Sequence, residues 1–167
     1  ASATTDSARG SRSSGSAAAF SFLGTFATQA DFDPKHFRMT YRVELWRDSV
    51  AGVVGHVYYP VEVELDTPRG CVERAKYEAP TGRLTFQARL PAGESHDIHE
   101  FAGRLTGSSL EGIFKRHDEK GPGGVTERVE LKKEHVDAER MKFMAFGSLA
   151  AWREQNPRIG FEDCGPK

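Results

Sequence analysis

This chain offers few of the features that announce a chemistry. It contains only two cysteines, Cys71 and Cys164. Two readings of them stand. They pair in an exported protein and tie the C-terminal tail to a strand, or they are two unrelated thiols. No apolar run approaches the roughly 20 residues that a membrane-spanning helix needs. Charge of one sign is missing too. Lys and Arg number 23, Asp and Glu 24, and the formal net charge is -1. With no basic excess to displace counter-ions from phosphates, a nucleic-acid partner is not expected.

Reaction signatures are equally scarce. Gly107-Ser108-Ser109 is a turn rather than a nucleophile elbow, and neither cysteine has a basic helper beside it in sequence. Gly121-Pro122-Gly123-Gly124 lacks the Lys-Ser/Thr pair that completes a phosphate cradle, and Pro122 marks it as a plain turn. No catalytic residue, metal or cofactor is assigned. In His96-Asp97-Ile98-His99-Glu100, read as a polar loop entering a strand, two imidazoles can meet over a metal only if the segment is not extended.

What the chain does have is alternation. From Phe37 to Lys133, apolar and polar residues take turns, interrupted every eight to twelve positions by Gly, Pro, Asp or Ser. Met39-Thr40-Tyr41-Arg42-Val43-Glu44-Leu45 and Leu84-Thr85-Phe86-Gln87-Ala88-Arg89-Leu90 each carry one greasy and one wet register. A period of two with one wet face predicts antiparallel strands around one core. The expected strands begin with a Phe-rich run at Ala19–Phe26. Arg38–Arg47, Val53–Tyr59, Cys71–Glu78 and Arg83–Leu90 follow, then a hairpin around Thr106–Ser109 and Val125–Lys133. Val61–Leu65 either continues the third strand past Pro60 or forms an edge strand of its own. Asp31-Phe32-Asp33-Pro34-Lys35 is a turn, and Pro91–Asp97 a polar loop.

After Glu134 the period becomes helical. Asp137 is an N-cap and Asn156-Pro157 a stop, with Met141, Ala145, Leu149 and Trp152 on one stripe and Phe143, Phe146 and Ala150 on another. Gly147-Ser148 is a weak point or a kink. A helix so apolar must be covered, either against the barrel wall or across a mouth. Residues 1–18 have too few large apolar groups to order themselves and read as a flexible tail. Residues 19–167 read as one domain, a mainly β, antiparallel up-and-down barrel of about eight strands with a C-terminal helix near 137–156. The small residues Ala1-Ser2-Ala3-Thr4 fit what signal-peptide removal leaves, which predicts a secreted or periplasmic protein; a trimmed chain is the other reading.

Phe22-Leu23-Gly24-Thr25-Phe26, Phe101-Ala102-Gly103 and Leu110-Glu111-Gly112-Ile113-Phe114, with a helix after the last strands, resemble the calycin group of lipocalin-like and avidin-like barrels. Where the lipocalin opening pattern has Gly-x-Trp, this chain has Phe26. The resemblance implies the architecture; no binding residue is carried over from it.

Two charges break the alternation. Glu127 falls on the register of Val125, Val129 and Leu131, and Glu73 on that of Cys71, Ala75 and Tyr77. If both registers face inward, two carboxylates enter the barrel, where burial raises their pKa values unless they are paired. The predicted function is therefore a non-enzymatic, exported barrel holding an apolar or amphipathic small ligand in its mouth. Its expected lining is Met39, Tyr41, Val43, Tyr59, Glu73, Phe86, Phe114 and Glu127. Two alternatives stand beside it. One is a filled barrel that docks a protein partner through the greasy C-terminal helix, and the other an isomerase or cyclase using Glu73 or Glu127 as acid or base.

Overall fold

The computed structural model describes residues 19–28, 41–61, 68–121 and 123–155. The N-terminal tail, the turn at Asp31–Lys35, Met39, most of Val61–Leu65, Pro122, the helix stop at Asn156-Pro157 and Cys164 lie outside the described residues.

Among the described residues, nine strands form one antiparallel sheet: β1 (Phe20–Ala27), β2 (Arg42–Asp48), β3 (Gly52–Tyr58), β4 (Arg69–Cys71), β5 (Glu73–Glu78), β6 (Arg83–Ala92), β7 (Ser95–Leu105), β8 (Ser109–Asp118) and β9 (Val125–Lys133). Their order is β4-β3-β2-β1-β9-β8-β7-β6-β5. The two outermost strands, β4 and β5, are separated in sequence by Val72 alone. One bent strand thus pairs with β3 through its first half and with β6 through its second, and the Val72 amide donates to Gly55 O at 2.9 Å between them. The sheet rolls into a nearly closed up-and-down barrel, which leaves few exposed edges. Counting the bent strand once gives the eight walls expected from the alternation. The looser seam lies between β1 and β9, which pair at Phe26–Lys133 and Ala27–Lys132.

Two irregularities redirect the side chains. Between Phe22 and Gly24 the β1–β2 register slips by one residue. Phe20 and Phe22 consequently face the outside of the wall, whereas Phe26, on the same nominal register, faces the core. A second slip between Glu73 and Lys76 in β5 coincides with Arg74 at φ 50°. It leaves Ala75 and Tyr77 packed on the core but pairs Glu73 with Gln87, on the outward register of β6.

Gly103 and Gly112 stand opposite each other on β7 and β8. A Cβ on Gly103 would lie 2.7 Å from both Gly112 Cα and the Phe101 ring. The wall bends here because no side chain fits beneath that ring.

Pro91–Asp97 is not a loop. The β6 and β7 strands run on to Ala92 and Ser95, which pair, and the connection is Gly93-Glu94 with Gly93 at φ 60°. The His96–Glu100 segment is therefore strand, and its alternation places His96 and His99 on opposite faces.

The barrel interior is apolar and closely packed, with Phe26, Val43, Leu45, Val57, Leu84, Leu110 and Leu131 all buried. A second layer lies outside the wall. Instead of one helix, the described residues form two, α1 (Ala138–Met144) and α2 (Leu149–Gln155), broken around Gly147. Asp137 caps α1 by accepting from the Arg140 amide at 2.7 Å, and Ser148 Oγ accepts from the Ala151 amide at 3.1 Å. The helices cover the outside of β1–β3 rather than the mouth. Trp152 packs with Trp46 and Phe20, and Trp46 Nε1 donates to Met144 O at 2.8 Å.

Candidate functional site at the barrel mouth

The two ends of the barrel differ. At one end the β2–β3, β5–β6 and β7–β8 connections are tight turns. The connections after β1 and β3 span residues 28–41 and 59–68 and leave from the other end. We call that end the mouth. It is ringed by the start of β2, the end of β3, the start of β7, the end of β8 and the start of β9.

Several inward residues at this end are polar. Tyr41, just before β2, and Tyr59, just after β3, are both buried. Tyr41 Oη lies 2.6 Å from His99 Nδ1 on β7. Tyr59 Oη accepts from Arg116 Nη1 on β8, and the Arg116 guanidinium carbon sits 5.0 Å from the Tyr59 ring centre. In the eight-walled ring, β2 faces β7 and β3 faces β8, with three walls between them either way round. Each pair thus spans the lumen, joining the half built from β1–β4 to the half built from β5–β9.

Beneath these bridges the lumen is aromatic. Phe114 stacks on Tyr41 with ring centres 3.9 Å apart and planes 3° from parallel. Phe101 lies 5.0 Å from both Phe114 and Phe86. These rings are buried and fill the lumen at this level.

Burial holds the Tyr41 phenol well above its ordinary pKa, with the neighbouring Tyr59, Glu127 and Asp97 adding to the rise against Arg116. His99 is pushed down from 6.5 to about 4, first by burial and then by the positive fields of Arg116 and His117. Near neutral pH both partners are uncharged. The His99 ring also faces Tyr59, with ring centres 5.2 Å apart. A dyad so far from titrating at neutral pH is poorly suited to proton transfer and well suited to fixed hydrogen bonding.

Of the residues expected to line a ligand, Tyr41, Val43, Tyr59, Phe86 and Phe114 lie in the core cluster. Tyr41, Tyr59 and Phe114 meet at the mouth; Val43 and Phe86 lie in the packed interior. Glu127 pairs with Phe114 and so shares its inward register, but it is exposed. Glu73 is half-buried and belongs to the outward register. Glu73 therefore does not enter the barrel, and Glu127, on an inward register, stays exposed rather than buried. Met39 lies outside the described residues.

His99 and Arg116 were not among the expected lining residues. The signal was present. Asp97, His99, Phe101, Gly103 and Leu105 alternate as one register, and Leu110, Gly112, Phe114 and Arg116 as its partner. Reading Pro91–Asp97 as a loop truncated the first of these before it reached the histidine.

Cys71 is disulfide-bonded and lies on the outer wall opposite His56. Among the described residues, no group of three or more His, Cys, Asp or Glu is placed to hold a metal. No described helix is long and apolar enough to cross a membrane, which says nothing of strands. No protein-family model, curated protein or solved structure matches this chain.

Proposed function

We propose that this protein is a non-enzymatic, calycin-like binding barrel that holds an apolar or amphipathic small molecule at its mouth. The observation that carries the reading is the pair of polar bridges, Tyr41–His99 and Tyr59–Arg116, lying over the aromatic floor of Phe114 and Phe101. Binding sites combine an apolar surface with a few convergent polar groups, and this end of the barrel supplies both. The disulfide at Cys71 favours an oxidising compartment, and therefore export. Native mass spectrometry of protein purified from its source tests the reading. A retained small molecule, lost on substitution of Tyr59 by Ala, is the expected result. A bare mass, with mouth amides unmoved by a panel of amphipathic compounds, overturns it.

A second reading has one observation in its favour. Phe143 is 75% and Met141 42% exposed on α1, and no residue of that helix is buried. A protein partner that covers this face would make the chain an interaction module. A sedimentation profile that stays monomeric in the source extract would count against it.

A further inference from the structure

We infer that the outer wall of β6–β9 is a docking face for a second copy of this chain, the two copies related by a two-fold axis running along the wall between β7 and β8. The face lies outside the barrel, so the inference does not depend on a ligand at the mouth. Its basis is the order of charges across the strands. Arg83, Arg104, Glu111 and Glu130 stand side by side in register from β6 to β9, and all four are exposed. That row reads plus, plus, minus, minus. The next outward row is Thr85, Ala102, Ile113 and Arg128, and the one after it Gln87, Glu100, Lys115 and Thr126.

A two-fold axis between β7 and β8 lays β7 of one copy on β8 of the other, and β6 on β9. Every contact it makes then occurs twice. Arg104 meets Glu111 of the second copy, Arg83 meets Glu130, and Glu100 meets Lys115. Ile113, 37% exposed, meets Ala102. Arg128 is the one charge in these rows left without an opposite, facing Thr85. The shape suits a close approach. A shallow groove of about 490 Å³ lies on this face around Ala102, Gly103, Gly112 and Ile113. Small residues at the centre let two sheets come to their usual face-to-face spacing of about 10 Å.

The arginines of this face are not used within the chain. Among the described residues, no ion pair or side-chain hydrogen bond engages Arg83, Arg104 or Arg128, although Arg104 stands directly opposite Glu111. Elsewhere the arginines are engaged: Arg89 holds Glu119 through two bonds of 3.1 and 2.8 Å, and Arg42 lies 3.5 Å from Glu134. The acids of the face have light local contacts. Glu111 accepts from Ser109 Oγ at 3.1 Å, Glu130 from Lys132 Nζ, and His117 Nε2 lies 3.8 Å from Glu100. A small anion drawn to the arginines would meet Glu111 and Glu130, and a cation would meet the arginines. A partner must carry both signs in the reverse order, and this face turned over does so. A patch four strands wide is small beside the roughly 800 Å² per partner of a standard interface, so the association is weak and salt-sensitive.

Sedimentation equilibrium of the whole chain tests this. The wild type is expected to dimerise at roughly 50 mM salt, and at least about tenfold more weakly at roughly 500 mM, where the screening length is about three times shorter. Arg104→Glu and Glu111→Arg are each expected to weaken self-association about tenfold or more, because each creates two like-charge contacts. Mixed together, the two variants are expected to form a heterodimer at least as tight as the wild type, since every inner contact again joins opposite charges. Misfolding cannot produce that gain. Arg83→Glu mixed with Glu130→Arg repeats the test at the outer pair and serves if an inner variant does not fold. A wild type still monomeric at about 1 mM protein and low salt overturns the inference. A dimer that no reversal weakens uses another face, and mixtures that restore nothing deny the two-fold register; either result overturns it as well.

Discussion

Among the described residues two histidines are deeply buried, one on each side of the barrel wall, and their surroundings differ. His56 lies on the outer face of β3 beneath α2, its ring stacked on Trp152 at 5.3 Å and edge-on to Trp46 at 5.9 Å. His99 lies in the lumen, bonded across it to Tyr41. Burial holds both below the ordinary histidine value. The neighbours separate them. His56 has an acid, Glu44, with Nδ1 3.6 Å from the carboxylate, and an aromatic enclosure sealed by the helices. His99 has a cation, Arg116, and the phenol of Tyr41. The outer imidazole sits beside a carboxylate under the helices, whereas the inner one is held neutral beside a guanidinium and takes part in a bond across the lumen.

The sharpest way to break this contrast is to remove one layer at a time. Phe114→Ala opens a cavity under the mouth and should cost about 3–5 kcal/mol in urea unfolding, with the whole barrel lost in one transition. Trp152→Ala should cost about 3 kcal/mol, but with a different signature: helical circular dichroism disappears at a denaturant concentration where the near-ultraviolet barrel signal persists. If the two signals vanish together in Trp152→Ala, the layers are one cooperative unit and the contrast fails.

A change of pH sharpens the difference. His99 has a folded pKa of about 4 against 6.5 unfolded, so the unfolded chain binds the extra proton first as pH falls. Its contribution is fully present above 6.5 and is lost progressively down to about pH 4, a change of about 3 kcal/mol. His99→Gln should flatten that part of the stability curve, measured by urea melts at half-unit pH steps. Glu44 contributes over a lower range. Burial would raise its pKa, but the hydrogen bond and charge of His56, with Arg42 and Arg69, hold it below 4.5, so its share is lost only as pH falls beneath that value.

Smaller effects distinguish the partners. Glu44→Gln should cost about 1–2 kcal/mol at pH 7 and lower the His56 pKa further, because the carboxylate that favours its charged form is gone. Tyr41→Phe, the mildest change, should cost about 1 kcal/mol by leaving His99 Nδ1 without its bond, and should not alter the helical signal.

The alternation of apolar and polar residues made the antiparallel barrel legible, because a period of two and a wet outer face follow directly from strand geometry. The Asp137 cap and the turn at Thr106–Ser109 were legible for the same local reasons. What escaped was anything that shifts a register. Leu23 and Arg74 look like ordinary strand residues, yet a one-residue slip near each turns Phe22 outward and removes Glu73 from the inner face. The helix was expected to be continuous because its formers are. Gly147-Ser148 ends that run where the chain must bend to lay Trp152 on Trp46. The site itself was half legible. Tyr41, Tyr59 and Phe114 follow from alternation, whereas their pairing with His99 and Arg116 depends on which walls face each other across a closed ring, and that is set by topology.

The most direct test is a nitrogen-detected titration of both histidine rings in the wild type and in Trp152→Ala. The structure predicts that His99 titrates near 4 in both proteins, while His56 moves back towards its ordinary value once the helices no longer enclose it. A His99 that titrates near 6.5, or that shifts together with His56 in Trp152→Ala, would contradict the separation of a structural outer layer from a polar mouth.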